Sequence, residues 1–152
     1  LVRLLSETES PMLPAIIVLA IEGAMRLSEI VALRWENIDL GQSVATLPDT
    51  KNGDVRHIPL SRTAVQLLDP IRREQGVVFS ITPHAVSVAF ARAASRAGIA
   101  NLRFHDLRHE SVSRLFEKGL NPMEVASVSG HRTMNMLKRY THLRASAISA
   151  RL

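Results

Sequence analysis

Tyr140 is the only tyrosine of the chain and stands in Arg139-Tyr140-Thr141-His142. Gly130-His131 lies just upstream of it, His105-Asp106-Leu107-Arg108 further back, and Gly23-Ala24-Met25-Arg26-Leu27-Ser28-Glu29 near the start. A phenol, two arginines and two histidines in this order point to phosphoryl transfer. The phenol attacks a phosphodiester, and the cations stabilise the charge that builds on the phosphate oxygens. A phenol with a pKa of ~10 needs a nearby histidine or arginine to act at neutral pH.

These groups must be held by particular elements. A helix is expected over residues 104–118, stopped by Gly119. At 100° per residue it carries Phe104, Leu107, Val112, Leu115 and Phe116 on one face, with Arg108 in the middle and His105 at the edge. A guanidinium on an apolar face is costly unless it meets an anion. The competing readings are an arginine that reaches past the core to water, or one paired with an internal carboxylate. Arg26 falls between two expected helices. The first is apolar nearly all round and is opened by Ser10-Pro11, running to Glu22; the second is short, from Ser28 to Leu33, with Ser28 as N-cap. Glu29 follows Arg26 by one turn and can brace it. Lys51, one of three lysines, sits at a hairpin tip beside Asn52-Gly53. It reads either as a solubilising turn residue or as a mobile acid for a leaving alkoxide. His57, His84, His109 and His142 carry no assignment.

Between these helices, Trp35 to Leu40, Val44 to Leu47 and Val55 to Leu60 read as short strands, the last two joined by a hairpin. Further helices are expected over residues 61–74, from Thr82-Pro83 to Ala97, from Asn121-Pro122 to Ser129, over residues 133–140 and over residues 144–152. The fold class is α+β, mainly α: one helical domain over residues 1–152 with a small three-stranded antiparallel sheet at one side.

Charge and composition narrow the partners. The net charge is +5, but residues 1–75 carry −2 and residues 76–152 carry +7. Sixteen of the 19 cations are arginine, whose planar fork matches phosphate oxygens better than a lysine does. That favours a polyanion. There is no cysteine, hence no disulfide framework and no thiolate metal site. His105 and His109 stand one helical turn apart, yet an arginine in the same turn repels a dication, so no metal and no cofactor are expected. The longest apolar run, Met12 to Ile21, is shorter than the ~20 residues that span a bilayer, so no membrane partner is expected. A cytoplasmic location is expected.

Taken together, the motifs resemble the catalytic domain of the tyrosine recombinases, the phage-type integrase family, from about Leu19 to Leu143. They are Gly-Ala-Met-Arg-Leu-Ser-Glu, the hairpin lysine, His-Asp-Leu-Arg-His, Gly-His and Arg-Tyr-Thr-His, with Ala32 to Asp39 as the lead-in to the sheet. The resemblance implies site-specific cutting and rejoining of double-stranded DNA without ATP or metal. Tyr140 would form a 3′-phosphotyrosyl bond. Arg26 and Arg108 would clamp the non-bridging oxygens, and Lys51 would protonate the 5′-oxygen. His105 would assist proton transfer with the tyrosine, His131 would hydrogen-bond the phosphate, and Glu29 would brace the site. The family's preceding DNA-clamping domain is expected to be absent from this chain. A homotetramer is expected on DNA and a monomer without it, with Leu143, Ala147, Ile148 and Leu152 as an apolar stripe for a neighbouring protomer. The alternative is a non-catalytic regulator, in which residues 111–118 and 122–129 form a DNA-binding helix-turn-helix. A metal-dependent hydrolase built on the histidines is a third class.

Overall fold

The computed structural model describes residues 1–48 and 55–140. Lys51, the Asn52-Gly53 turn, His142, the helix expected over residues 144–152 and its apolar stripe lie outside the described residues.

Eight helices and three strands are arranged around one central helix among the described residues. A short helix α1, Val2–Ser6, not expected from the sequence, precedes the central α2, Leu13–Gly23. Nine of the eleven α2 residues are buried, as expected from its apolar circumference. It begins at Leu13 rather than at Ser10, with Met12 as N-cap and Pro14, whose missing N–H costs nothing there, in the first turn. The chain then passes into α3, Leu27–Val31. Its N-cap is Arg26, not Ser28: the Glu29 carboxylate reaches back one turn to the Arg26 N–H at 2.7 Å.

The segment expected as a first strand from Trp35 is a 3-10 turn, Trp35–Asn37, followed by a two-residue strand β1, Ile38–Asp39. The backbone of Trp35 is instead engaged elsewhere. Trp35 N–H donates to Gly76 O and Val78 N–H to Leu33 O, each at 2.9 Å, which pins the extended piece around Val77. β2, Val44–Leu47, and β3, Arg56–Pro59, complete an antiparallel sheet in the order β1-β2-β3. Its register pairs Ala45 with Ile58, both fully buried. Ile58 packs so close to Gly23 that a Cβ there would stand 2.9 Å from Ile58 Cγ2. The sheet thus docks where α2 ends.

α4, Arg62–Leu68, is capped by Ser61 and shorter than expected, because Pro70 follows and the chain tightens to a 3-10 turn at Asp69–Ile71. α5, Pro83–Arg96, and α6, Phe104–Glu117, match their expected positions. So does α7, Pro122–Ser129, where Asn121 Oδ1 accepts from the N–H groups of Met123 and Glu124. The expected final turn before Tyr140 divides into α8, Met134–Leu137, and a 3-10 turn, Lys138–Tyr140.

The core has two parts. The larger surrounds α2. The smaller joins Ala24, Val112, Leu115, Phe116, Val125, Val128, Leu137 and Tyr140. The second part sets α6, α7 and the Tyr140 segment against each other, and the candidate site lies along its border with the first.

Candidate active site

Arg108 is the centre of the site. It is 5% exposed, and among the described residues the hydrogen bonds of its guanidinium go to carbonyls rather than to a carboxylate. It donates to the carbonyl of Ala24 and, at 2.7 Å, to the carbonyl of Ser129. These are carbonyls at the ends of α2 and α7, which lack intrahelical partners and carry the negative end of each helix dipole. Ala24 takes a left-handed conformation, φ 51° and ψ 27°, that costs a non-glycine residue about 1–2 kcal/mol. The charged hydrogen bond from Arg108 offsets that cost. Burial, then repulsion from Arg26, lowers the Arg108 pKa to about 10, which leaves it cationic at neutral pH. Two of five N–H groups are used by the carbonyls, so the fork keeps donors for a ligand.

Arg26 is held from the opposite side. Its Nη1 donates to Glu29 Oε1 at 2.8 Å, and its side chain stays 42% exposed. Glu29 has a second cation: Arg56 Nη2 donates to Oε2 at 2.7 Å. Burial pushes the Glu29 carboxyl up. The Arg26 N–H and the Arg56 guanidinium outweigh it and hold the pKa below the ordinary carboxylate value. Arg56 Nη1 also donates to Ser129 O at 3.2 Å, the carbonyl already used by Arg108. One network therefore runs from the turn after α2, through β3, to the end of α7.

His131 completes it. Its Nδ1 is 2.6 Å from Ser129 Oγ, whose own proton goes to Val125 O at 2.6 Å. With that proton committed, His131 donates from Nδ1, and Nε2 is the free nitrogen of the neutral ring. Burial first, then Arg108 and Arg26, lower its pKa to about 4. At neutral pH the site thus holds a neutral imidazole beside three arginines.

Arg26, His105 and Arg108 share the wall of a cavity of about 370 Å³, with Phe90, Leu102 and Arg103. Tyr140 is 5% exposed, stacked on Phe116 with ring centroids 6.3 Å apart. Its hydroxyl lies 2.6 Å from Nδ1 of His109. His105 is one turn away, its ring edge-on to that of His109 with centroids 4.8 Å apart.

The structure therefore gathers Arg26, Glu29, His105, Arg108, His131 and Tyr140 into one region. Three further residues belong to it: Arg56, His109 and Ser129. Strand alternation places Arg56 on the face of Ile58 and Leu60, the same signal of a cation on an apolar face that marks Arg108. His109 closes the His-Asp-Leu-Arg-His motif but carries no assigned role in the sequence, and Ser129 has no sequence signal. Among the described residues no three histidine, aspartate or glutamate side chains gather as a metal site. None of their helices is long and apolar enough to cross a membrane.

The sequence pattern of the phage integrase family matches residues 2–147. The chain belongs to the phage integrase family. This integrase-family chain is 54% identical over 144 residues to a shufflon-specific DNA recombinase of Escherichia coli, an alignment covering 93% of the chain and 37% of that protein. It is 30% identical over 141 residues to tyrosine recombinase XerC of Xanthomonas campestris, covering 85% of the chain and 44% of the relative. The chain thus spans less than half the length of these relatives. The catalytic domain of bacteriophage HP1 integrase superposes with a TM-score of 0.77 at 27% identity, over 93% of the chain and 83% of that structure. XerA recombinase has the same fold, with a TM-score of 0.79 at 19% identity over 97% of the chain and 60% of that structure. The α+β catalytic-domain fold expected from the motifs is the fold found. The helix-turn-helix regulator finds no support in these relatives.

Proposed function

We propose that this integrase-family domain cuts and rejoins double-stranded DNA at a specific site through a tyrosyl intermediate. The observation that carries the reading is the buried Arg108, fixed by two helix ends, with Arg26, His131 and Tyr140 within electrostatic reach. Fixed cations aimed at one place stabilise a pentacoordinate phosphorane without reorganisation during the reaction.

In this reading Tyr140 Oη attacks the phosphorus and forms a 3′-phosphotyrosyl bond. The 5′-oxygen leaves, protonated by Lys51. Arg26 and Arg108 hold the non-bridging oxygens. His131 gives a hydrogen bond to the phosphate once the incoming negative charge has raised its proton affinity. Glu29 orients Arg26. The pair His105 and His109 handles the proton of the phenol. The phosphotyrosine conserves the energy of the phosphodiester, so rejoining needs no ATP, and the arginines supply the charge that Mg²⁺ supplies in many other phosphoryl transfers. The related integrase of transposon Tn1549 and the lambda integrase have been solved with DNA. That supports DNA as the partner here. Assembly as a tetramer on DNA, a monomeric state without it and a cytoplasmic location belong to the same reading.

The test is a nicked suicide duplex, incubated with the protein in EDTA and resolved by denaturing electrophoresis. A covalent protein–DNA band is expected from the wild type and none from Tyr140→Phe. A band that persists in the variant, or that requires added divalent metal, overturns the reading.

A further inference from the structure

We infer that His109, rather than His105, takes the proton of Tyr140 when the phenol attacks, and returns it when the strand is rejoined. The inference rests on the proposed recombinase reading. Three observations carry it.

The first is contact. Nδ1 of His109 is 2.6 Å from the Tyr140 hydroxyl, a short hydrogen bond for this pair. His105 instead lines the cavity that Arg26 and Arg108 share, and among the described residues its ring contact runs to His109, which in turn meets Tyr140. The second is confinement. Tyr140 is buried against Phe116, so bulk water is a poor acceptor for its proton, and the imidazole is the base within reach. The third is the charge around His109. On its own helix it faces His105, Asp106 and Arg108, and from the following segments Arg139, His131 and Tyr140. Burial, followed by His105 and Arg139, lowers its pKa below the ordinary histidine value. The ring is therefore neutral at pH 7 and able to accept.

The step balances simply. As the Oη–P bond forms and the P–O5′ bond breaks, the Oη proton moves to His109 Nδ1, while O5′ takes a proton from the separate acid, Lys51 in the reading above. In rejoining, the 5′-hydroxyl of the incoming strand attacks phosphorus and returns its proton to the acid that cleavage left deprotonated, Lys51 in the reading above, while the P–Oη bond breaks and His109 Nδ1–H protonates the departing phenolate. This requires His109 to rest as the Nε2–H tautomer, with Nδ1 bare.

Two measurements test it. The first needs no activity. Nitrogen-15 shifts of the free protein should show His109 Nδ1 unprotonated, and Tyr140→Phe should move that resonance more than either nitrogen of His105. A protonated Nδ1 at neutral pH overturns the inference. The second is single-turnover cleavage of DNA with a 5′-bridging sulfur, which leaves without an acid and isolates deprotonation of the nucleophile. His109→Ala and His109→Gln should both slow it by about 10²-fold or more at pH 7, the range of general-base catalysis. The loss should shrink as pH approaches the phenol pKa of ~10. Glutamine keeps a hydrogen-bond acceptor but cannot hold the proton, so a His109→Gln variant near the wild-type rate would reduce His109 to a positioning residue. Wild-type rate in His109→Ala, with the pH-dependent loss in His105→Ala, would give the role to His105. No adduct from the wild type at all would overturn the recombinase reading, and this one with it.

Discussion

Gly130 is the position at which a single added methyl group should break the arginine network, and the structure sets the size of the effect. Gly130 ends α7 with φ at 71°, a conformation that costs an L-residue about 1–2 kcal/mol. A Cβ there would overlap Arg56 Nη1 and would stand 3.0 Å from its Cζ and 3.2 Å from its Cδ. The guanidinium must move, and in moving it gives up Ser129 O and Glu29 Oε2. The Arg56 and Glu29 side chains are 15% and 21% exposed, so their pair lies between a surface ion pair and a buried one. A loss of about 1.5–2 kcal/mol is reasonable for hydrogen bonds to charged groups in that setting. Gly130→Ala should then cost about 3 kcal/mol in all, the sum of backbone strain and lost bonds. At about 2–4 °C per kcal/mol for a chain of this size, the melting temperature should fall by roughly 6–12 °C. The decisive assay is a double-mutant cycle by urea or thermal unfolding. In an Arg56→Ala background the collision is gone, and Gly130→Ala should cost only the backbone term of about 1–2 kcal/mol. Equal costs in the two backgrounds would show that Gly130 is chosen for its dihedral angle alone, and the collision argument would be refuted.

The other predictions concern charge. His131 should titrate near pH 4 in the free protein, followed by its imidazole resonances. Its pKa is depressed on folding, so the unfolded chain binds the proton more readily. Stability from this group is therefore present above about pH 6.5 and lost as pH falls toward 4, and His131→Gln should flatten that part of the profile. DNA should raise the His131 pKa, so binding near pH 5.5 should take up a proton, measurable by calorimetry in buffers of different ionisation enthalpy. An unchanged pKa in the complex would remove His131 from contact with the phosphate. Lys51→Ala should slow cleavage of an ordinary phosphodiester far more than of a 5′-bridging sulfur substrate. Equal slowing would leave Lys51 as a binding residue. Because the second half of the chain carries +7, DNA affinity should fall steeply with salt. The dissociation constant should lie in the non-specific range of about 10⁻⁴–10⁻⁶ M at physiological salt. A salt-independent affinity would show that contacts other than phosphate pairing dominate.

By itself the sequence determined the helical frame, the sheet and the identity of most of the chemical groups. Those signals are local. Asn121-Pro122 followed by Glu124 specifies a helix start, Gly130 its end, and apolar residues at helical spacing mark one face of α6. A cation in that face, Arg108, is anomalous on inspection. What meets the cation is a different matter. Water, an internal carboxylate and a ligand are equivalent from the string alone, and the answer is two carbonyls more than twenty residues away in either direction, at the ends of helices that only packing brings together. The same holds for the N-cap of α3, where a carboxylate inside the helix displaced the serine. It holds too for Trp35, whose backbone is taken by Gly76 rather than by the sheet. Tyr140 shows the division most clearly. Its uniqueness and its motif are written in the chain, but the identity of its proton acceptor is not. His105 and His109 are one helical turn apart and chemically identical. The second core cluster, by seating the Tyr140 ring on Phe116, turns its hydroxyl to His109 and leaves His105 to the cavity.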